Sequence, residues 1–194
     1  MTRERSGGLG AVLLASGMSR RYGSRNKLLR EIDGEAMVRR VLRRLEVDGV
    51  DFRVVTLGHQ MEAVAAALRG SDAALVFNTN YAEGMGTSLA FGVSEAVKRN
   101  PDALLVCLAD LPELEAEDTR RVATSFWEAG GNRIAYPLVG RRRGHPVCFP
   151  KRCFGDLCQL KGDQGARRLI EADGFEPVEV SGVSRGCIRD LDRD

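Results

Sequence analysis

Short apolar runs alternate along the chain with stretches whose apolar residues recur at helical spacing, and that alternation leaves few folds open. Leu9–Ala15 is a continuous apolar run, read as a buried strand, and it ends in a glycine-bearing loop. Val38, Val41, Leu42 and Leu45 follow at i, i+3, i+4 and i+7, which predicts a helix over 35–47. Phe52–Leu57 reads as a strand, and Met61, Val64 and Leu68 mark a second amphipathic helix. A strand over 73–77 precedes a helix over 86–98, with Leu89, Val93, Ala96 and Val97 on one side. Ala103–Leu108 carries no polar residue, and a helix over 115–129 follows it. Strands alternating with helices at this spacing make βαβ units, whose right-handed crossovers bury a parallel sheet on both faces. The expected fold is therefore α/β: a doubly wound, mainly parallel, Rossmann-like sheet.

The remainder is less regular. Residues 133–138 and 146–149 read as strands joined by a polar turn over 140–144. Helices over 151–160 and 165–172, the second behind Asp163 as N-cap, and strands over 175–180 and 186–191 complete a small β-rich appendage. At 194 residues the chain is sized for one domain, 1–194, against ~150 residues per domain.

Composition excludes several classes. The charge sum is 29 − 27 = +2, with a sequence pI of about 8.3. That is too weak a bias for a dedicated nucleic-acid binder, whose domain pI usually exceeds ~9. No apolar run approaches the ~18–20 residues of a membrane span. The first run resembles a short signal peptide, but Ser16-Gly-Met-Ser-Arg-Arg21 offers no small-x-small cleavage site, and a buried strand explains it better. Five cysteines, at 107, 148, 153, 158 and 187, are an odd number without C-x-x-C, as expected of reduced thiols in a cytoplasm.

In open parallel sheets, ligands bind beyond the carboxyl ends of the strands, and three of those ends carry chemistry here. After the first strand, Ala15-Ser-Gly-Met-Ser-Arg-Arg-Tyr-Gly-Ser-Arg-Asn-Lys27 is neither a Walker A loop nor Gly-x-Gly-x-x-Gly. It nevertheless has the ingredients of a phosphate cradle. Gly17 and Gly23 permit close backbone approach, Ser19 adds a hydroxyl, and Arg20, Arg21, Arg25 and Lys27 add cations. After the third strand, residues 78–88 run from Asn78 through Gly84 and Gly86 to Thr87 and Ser88 at a helix start. That arrangement suits an anion, or plain N-capping by a hydroxyl. After the fourth, Asp110-Leu-Pro112 ends a buried strand in a carboxylate. Mg²⁺ shared with substrate phosphates accounts for it, and so does a simple turn cap.

Together these loops resemble the MobA-like nucleotidyltransferases. Leu13-Leu-Ala-Ser-Gly17-Met-Ser19-Arg-Arg21-Tyr-Gly23 followed by Lys27-Leu-Leu is similar to that family's nucleotide signature. Asn78-x-x-Tyr81-x-x-Gly84-Met85-x-x-Ser88-Leu89 resembles its second motif, and Asp110-Leu-Pro112 its metal motif. Gly144-His145-Pro146, Gly162-Asp163-x-Gly165-Ala166-Arg167 and Ile188-Arg-Asp190-Leu-Asp192 resemble patterns of the molybdenum cofactor cytidylyltransferase branch. The resemblance implies transfer of a nucleoside monophosphate from an NTP to the phosphate of molybdopterin, with release of pyrophosphate. It implies residues 9–130 as a nucleotide-binding half and 131–194 as an acceptor-binding half. Ala15, Ser16 and Gly17 would lie along the nucleotide with Ser19. Arg21 and Lys27 would meet its phosphates, and Asn78, Gly84 and Ser88 its base and ribose. Asp110 would hold Mg²⁺ with Asp190 or Asp192, and His145 would stand on the pterin side. Ser16 replaces the second glycine of the guanylyl branch, which favours CTP. A molybdenum hydroxylase would receive the product.

Three other readings compete. His145-x2-Cys148-x4-Cys153-x4-Cys158 has four N/S ligands for a tetrahedral zinc beside a 141–143 arginine run that would meet RNA phosphates. A sister cytidylyltransferase for a sugar phosphate or isoprenoid alcohol would share the first loop. A non-catalytic molybdopterin-binding accessory protein is the third, against which Lys27 and Asp110 both stand.

Overall fold

The computed structural model describes residues 8–18, 26–172, 174 and 176–191. β1 (Leu9–Ala15) is buried along its whole length, because it lies at the centre of the sheet with neighbours on both edges and helices on both faces. β2 (Glu31–Ile32) and β3 (Glu35–Ala36) form a small antiparallel hairpin. Its two-residue turn is Asp33-Gly34, both at positive φ (53° and 78°), the left-handed geometry that Asp-Gly supplies. The helix expected over 35–47 therefore begins only at α1 (Met37–Arg44), since the first two of those residues pair as a strand.

β4 (Phe52–Leu57), α2 (Met61–Ala67), β5 (Ala74–Phe77), α3 (Met85–Val97), β6 (Ala103–Leu108) and α4 (Ala116–Glu128) follow the predicted alternation. Then come β7 (Ala135–Val139), β8 (Arg142–Arg143), β9 (Val147–Pro150), α5 (Phe154–Cys158), α6 (Arg167–Ala172) and β10 (Val178–Val180). The main sheet runs β10-β7-β9-β6-β1-β4-β5, with β8 paired on β7. β1 pairs in parallel with β4 and β6, and β4 with β5. β9 is antiparallel to β6 and β7. The β-rich appendage is thus the continuation of the same sheet across β9.

Alternate residues of the central strands feed two cores. Leu9, Ala11 and Leu13 of β1 and Leu105 of β6 pack with Val41 and Leu42 of α1 and Phe126 of α4 on one face. Val12, Leu104 and Val106 pack with Leu89 and Val93 of α3 and Phe154 of α5 on the other. Such two-sided burial is what continuous apolar strands require.

Two expectations for the C-terminal region are corrected. Residues 185–188 form a 3-10 turn where a strand over 186–191 was expected. Ser184 Oγ accepts from the Gly186 N–H (3.1 Å), and Gly186 lies so close to Glu113 that a Cβ there would stand 1.9 Å from the Glu113 carbonyl. The segment is clamped to the loop after β6. Asp163 is also no N-cap, for it sits in a turn and α6 starts at Arg167. The zinc arrangement does not form either. Cys148 packs in the core on one face of the sheet and Cys153 in the core on the other. Among the described residues no group of three or more His, Cys, Asp or Glu is arranged to hold a metal.

Candidate active site

Lys27 is positioned by a short turn. Asn26 Oδ1 accepts from the Leu28 N–H (3.0 Å), its Nδ2 donates to the His59 carbonyl (3.2 Å), and Leu28 is buried in the core. The turn aims the ammonium of Lys27 at the end of β6, where Nζ stands 2.8 Å from Asp110 Oδ2. Side-chain exposure is 12% for Lys27 and 18% for Asp110, so both charges are mostly removed from water yet still reachable. The other carboxylate oxygen, Asp110 Oδ1, is buried and has no hydrogen-bond partner among the described residues. The Asp110 backbone carbonyl accepts from the Leu191 N–H (3.1 Å). That bond brings the segment carrying Asp190 alongside, with the Asp190 side chain exposed. A buried, unsatisfied carboxylate oxygen is costly without a partner, and a divalent cation shared with substrate phosphates fits it, since Mg²⁺ commonly takes one or two carboxylates plus phosphate oxygens.

The β1 end faces the same place. Ala15 and Ser16 are buried, whereas Gly17 is exposed, and among the described residues no other atom lies within 4 Å of a Cβ placed on it. Gly58 is required beneath, because a Cβ there would lie 2.8 Å from Ser16 Cβ and 2.6 Å from Tyr81 Cβ. Ser19 and Arg21, with Arg20, Gly23, Arg25 and Asp192, lie outside the described residues.

The 78–88 loop differs from expectation. Asn78 and Ser88 are 3% and 1% exposed. Asn78 Nδ2 donates to Ser88 Oγ (3.1 Å), and Asn78 Oδ1 accepts from the Asn80 N–H (3.0 Å). These bonds brace the loop from within. The start of α3 is not an open anion site either. The Gly162 carbonyl accepts from the Gly86 N–H (2.7 Å) and the Thr87 N–H (3.4 Å), and Thr87 Oγ1 accepts from the Gly162 N–H (3.0 Å). A Cβ on Gly84 would meet Gly162 at 2.4 Å, and one on Gly86 would meet the Gln164 carbonyl at 2.3 Å. These glycines permit close approach of another loop rather than of a ligand. Sequence reasoning missed this seam, although Gly162 and Gly165 in the later motif were its signal.

On the other face of the sheet lies a cavity of about 570 Å³. Leu14, Leu89, Val106, Val147, Phe149 and Ile170 make its apolar wall, and Arg141, Arg142, Arg143 and Arg167 line it as well. His145 contributes to the lining, with Nδ1 3.3 Å from the Val106 carbonyl and its backbone N–H donating to the Cys187 carbonyl (2.8 Å). Burial holds its pKa below the ordinary 6.5, against the opposing Val106 hydrogen bond and the nearby Asp110 charge. A ring neutral at pH 7 can offer one donor and one acceptor. Leu14 and Leu108 at the strand ends line this cavity and bring it next to Ala15 and Asp110 at the carboxyl edge of β1 and β6. Burial pushes the Cys107 and Cys148 thiols up, which leaves no thiolate for covalent chemistry at these positions.

Known proteins bear on this geometry. Nicotine blue oxidoreductase of Paenarthrobacter nicotinovorans is 30% identical over 164 residues, 82% of this chain and 79% of its own length. Purine catabolism protein PucB of Bacillus subtilis (strain 168) is 28% identical over 168 residues, 83% of this chain and 80% of its own. The structure of Rv0371c from Mycobacterium tuberculosis H37Rv in complex with manganese superposes with a TM-score of 0.75 at 23% identity. It covers 90% of this chain and 88% of its own, a likeness that speaks for the fold. Fold and site define a nucleotide-using transferase of the α/β class. The model of the MobA-like NTP transferase domain matches residues 11–178. The chain belongs to that family and is a nucleotidyltransferase. No helix among the described residues is long and apolar enough to cross a membrane.

Proposed function

We propose that the enzyme transfers a nucleoside monophosphate, CMP by preference, from its NTP to the phosphate of a molybdopterin-type acceptor and releases pyrophosphate. The observation that carries this is the Lys27–Asp110 pair at 2.8 Å beside an Asp110 Oδ1 that has no partner among the described residues. A phosphate monoester oxygen is already nucleophilic, so the reaction needs neither a covalent intermediate nor a strong base. Catalysis reduces to holding two anionic substrates in line and stabilising charge on the α-phosphate and the departing pyrophosphate. The Gly17 backbone would lie along the triphosphate, and Lys27 would stabilise its developing charge, with Ser19 and Arg21 of the same loop assisting. Asp110, with Asp190, would hold Mg²⁺, which when bound supplies Lewis-acid stabilisation of the phosphates. Asn78, Gly84 and Ser88 would serve the nucleotide indirectly, by bracing the loop beneath it. Neutral His145 would hydrogen-bond the acceptor in the cavity, so that residues 9–130 form the nucleotide half and 131–194 the acceptor half. Five free cysteines suit a reducing cytoplasm, where a molybdenum hydroxylase would take up the product.

A second reading follows from the relative that carries an oxidoreductase name. Against it, the loop after β1 lacks the Gly-x-Gly-x-x-Gly of dinucleotide binding. One assay separates the two. Release of pyrophosphate from CTP, Mg²⁺ and molybdopterin supports transfer, whereas NAD(P)H oxidation without such release supports the second reading.

A further inference from the structure

Two of the cavity's arginines have a counter-charge. Arg143 Nη1, on β8, stands 3.4 Å from Glu171 Oε1, and Arg167 Nε, on α6, stands 3.0 Å from the same oxygen. The Arg143 guanidinium also lies over the Tyr136 ring, 5.2 Å from its centroid, which fixes its direction. Two arginines from different elements therefore converge on one oxygen of one carboxylate.

We propose that Glu171 is a stand-in for the acceptor's own anionic group. Its carboxylate is the resident counter-ion of the Arg143–Arg167 pair, and a phosphomonoester entering the cavity displaces it. This rests on the acceptor occupying that cavity, as proposed above. Three features support the exchange. Side-chain exposure of 39% for Arg143, 48% for Glu171 and 83% for Arg167 makes these pairs weak and displaceable. Neither guanidinium is engaged bidentately by Glu171, so each keeps N–H donors that a phosphate, with more oxygens and more charge, would fill. The apolar wall behind them suits a flat, uncharged body attached to that phosphate. Glu171 thereby selects anionic acceptors, because only an anion compensates the arginines when the glutamate is displaced. Its carboxyl is held below the usual range, chiefly by its hydrogen bond with Arg167, so the resident ion is charged at neutral pH.

The test uses 4-nitrophenyl phosphate, a flat ring carrying a phosphomonoester, titrated calorimetrically at constant ionic strength into the full chain. Glu171→Gln should bind it ~3–10-fold more tightly than the wild type, the scale of removing a competing exposed pair. Arg143→Ala should bind it at least ~10-fold more weakly, the scale of losing a charge-assisted contact. Glu171→Ala, checked by circular dichroism beside Glu171→Gln, covers a fold defect in either variant. A glutamate that merely braces α6 predicts equal or weaker binding on its removal, and that result overturns the proposal. Absence of binding to every form overturns it as well. CTP binding to the wild type is read in parallel. If CTP fails to bind while the Glu171→Gln gain appears, the nucleotide reading falls and the anion exchange stands. If CTP binds without that gain, only the exchange falls.

Discussion

Lys27 and Asp110 lie 83 positions apart in sequence, and their meeting is the residue-scale fact on which the proposed function depends. Removing the ammonium by Lys27→Ala should leave a folded protein whose pyrophosphate release falls at least ~10²-fold, the scale of losing one oxyanion donor. Steady-state turnover with thermal melting as the fold check measures it. His145 gives a pH prediction. Its folded-state pKa lies below the ordinary 6.5 because burial disfavours the cation. Above pH 6.5 the ring is neutral folded or unfolded and contributes nothing. As pH falls below 6.5 the unfolded chain takes up a proton that the folded chain refuses, so stability is lost until the lowered folded-state pKa is reached. Denaturation midpoints between pH 7.5 and 5 should therefore fall less steeply in His145→Gln than in the wild type. Parallel slopes would contradict the assignment. At this scale Lys27 and the strand-end carboxylate are legible from residue type and position alone. The inward turn of Asn78 and Ser88 is not, because the same polar side chains cap, brace or bind ligands depending on what packs above them.

Elements explain how these residues are held. The start of α3 docks on the 161–165 loop through Gly84 and Gly86, with no room for a Cβ on either. Gly86→Ala should cost ~1–3 kcal/mol, as overpacking a tight site does, and it should raise the KM for nucleotide more than it lowers kcat. α4 begins with a capping box in which the Glu115 N–H donates to Asp118 Oδ2 (3.0 Å). The same buried aspartate accepts from the Ser184 N–H and hydroxyl, both at 2.7 Å. It thus ties the segment that touches His145 and Asp110 to the helix. Asp118→Ala leaves those donors unmet, at ~1–3 kcal/mol for a buried unsatisfied group, or several degrees in Tm at roughly 2–4 °C per kcal/mol. A differential scanning measurement reads it directly. Helices and parallel strands are visible in the sequence because their periodicities are local. The Asp33-Gly34 hairpin was equally local, and its turn dipeptide is the signal that periodicity over 35–47 obscured. The 185–188 turn has a local cap in Ser184, but its docking against Glu113 is a long-range contact.

Across the whole molecule, one sheet separates two cores and brings the two proposed half-sites together at its carboxyl edge. The turn that carries Lys27 belongs to the layer around Leu28, and the cavity proposed for the acceptor belongs, with α3, to the layer around Val106 and Phe149. Asp110 stands where they meet. Doubly wound topology was legible because continuous apolar strands such as Ala103–Leu108 only make sense buried on both faces. The cavity was not, because its wall is drawn from β1, α3, β6, β9 and α6 and exists only after they pack. The most direct measurement is pyrophosphate release from CTP, Mg²⁺ and molybdopterin by the wild type and by Asp110→Ala. Release that requires both substrates and falls at least ~10²-fold in the variant is the predicted result. Release at wild-type rate from Asp110→Ala, or release indifferent to the acceptor, would contradict the account.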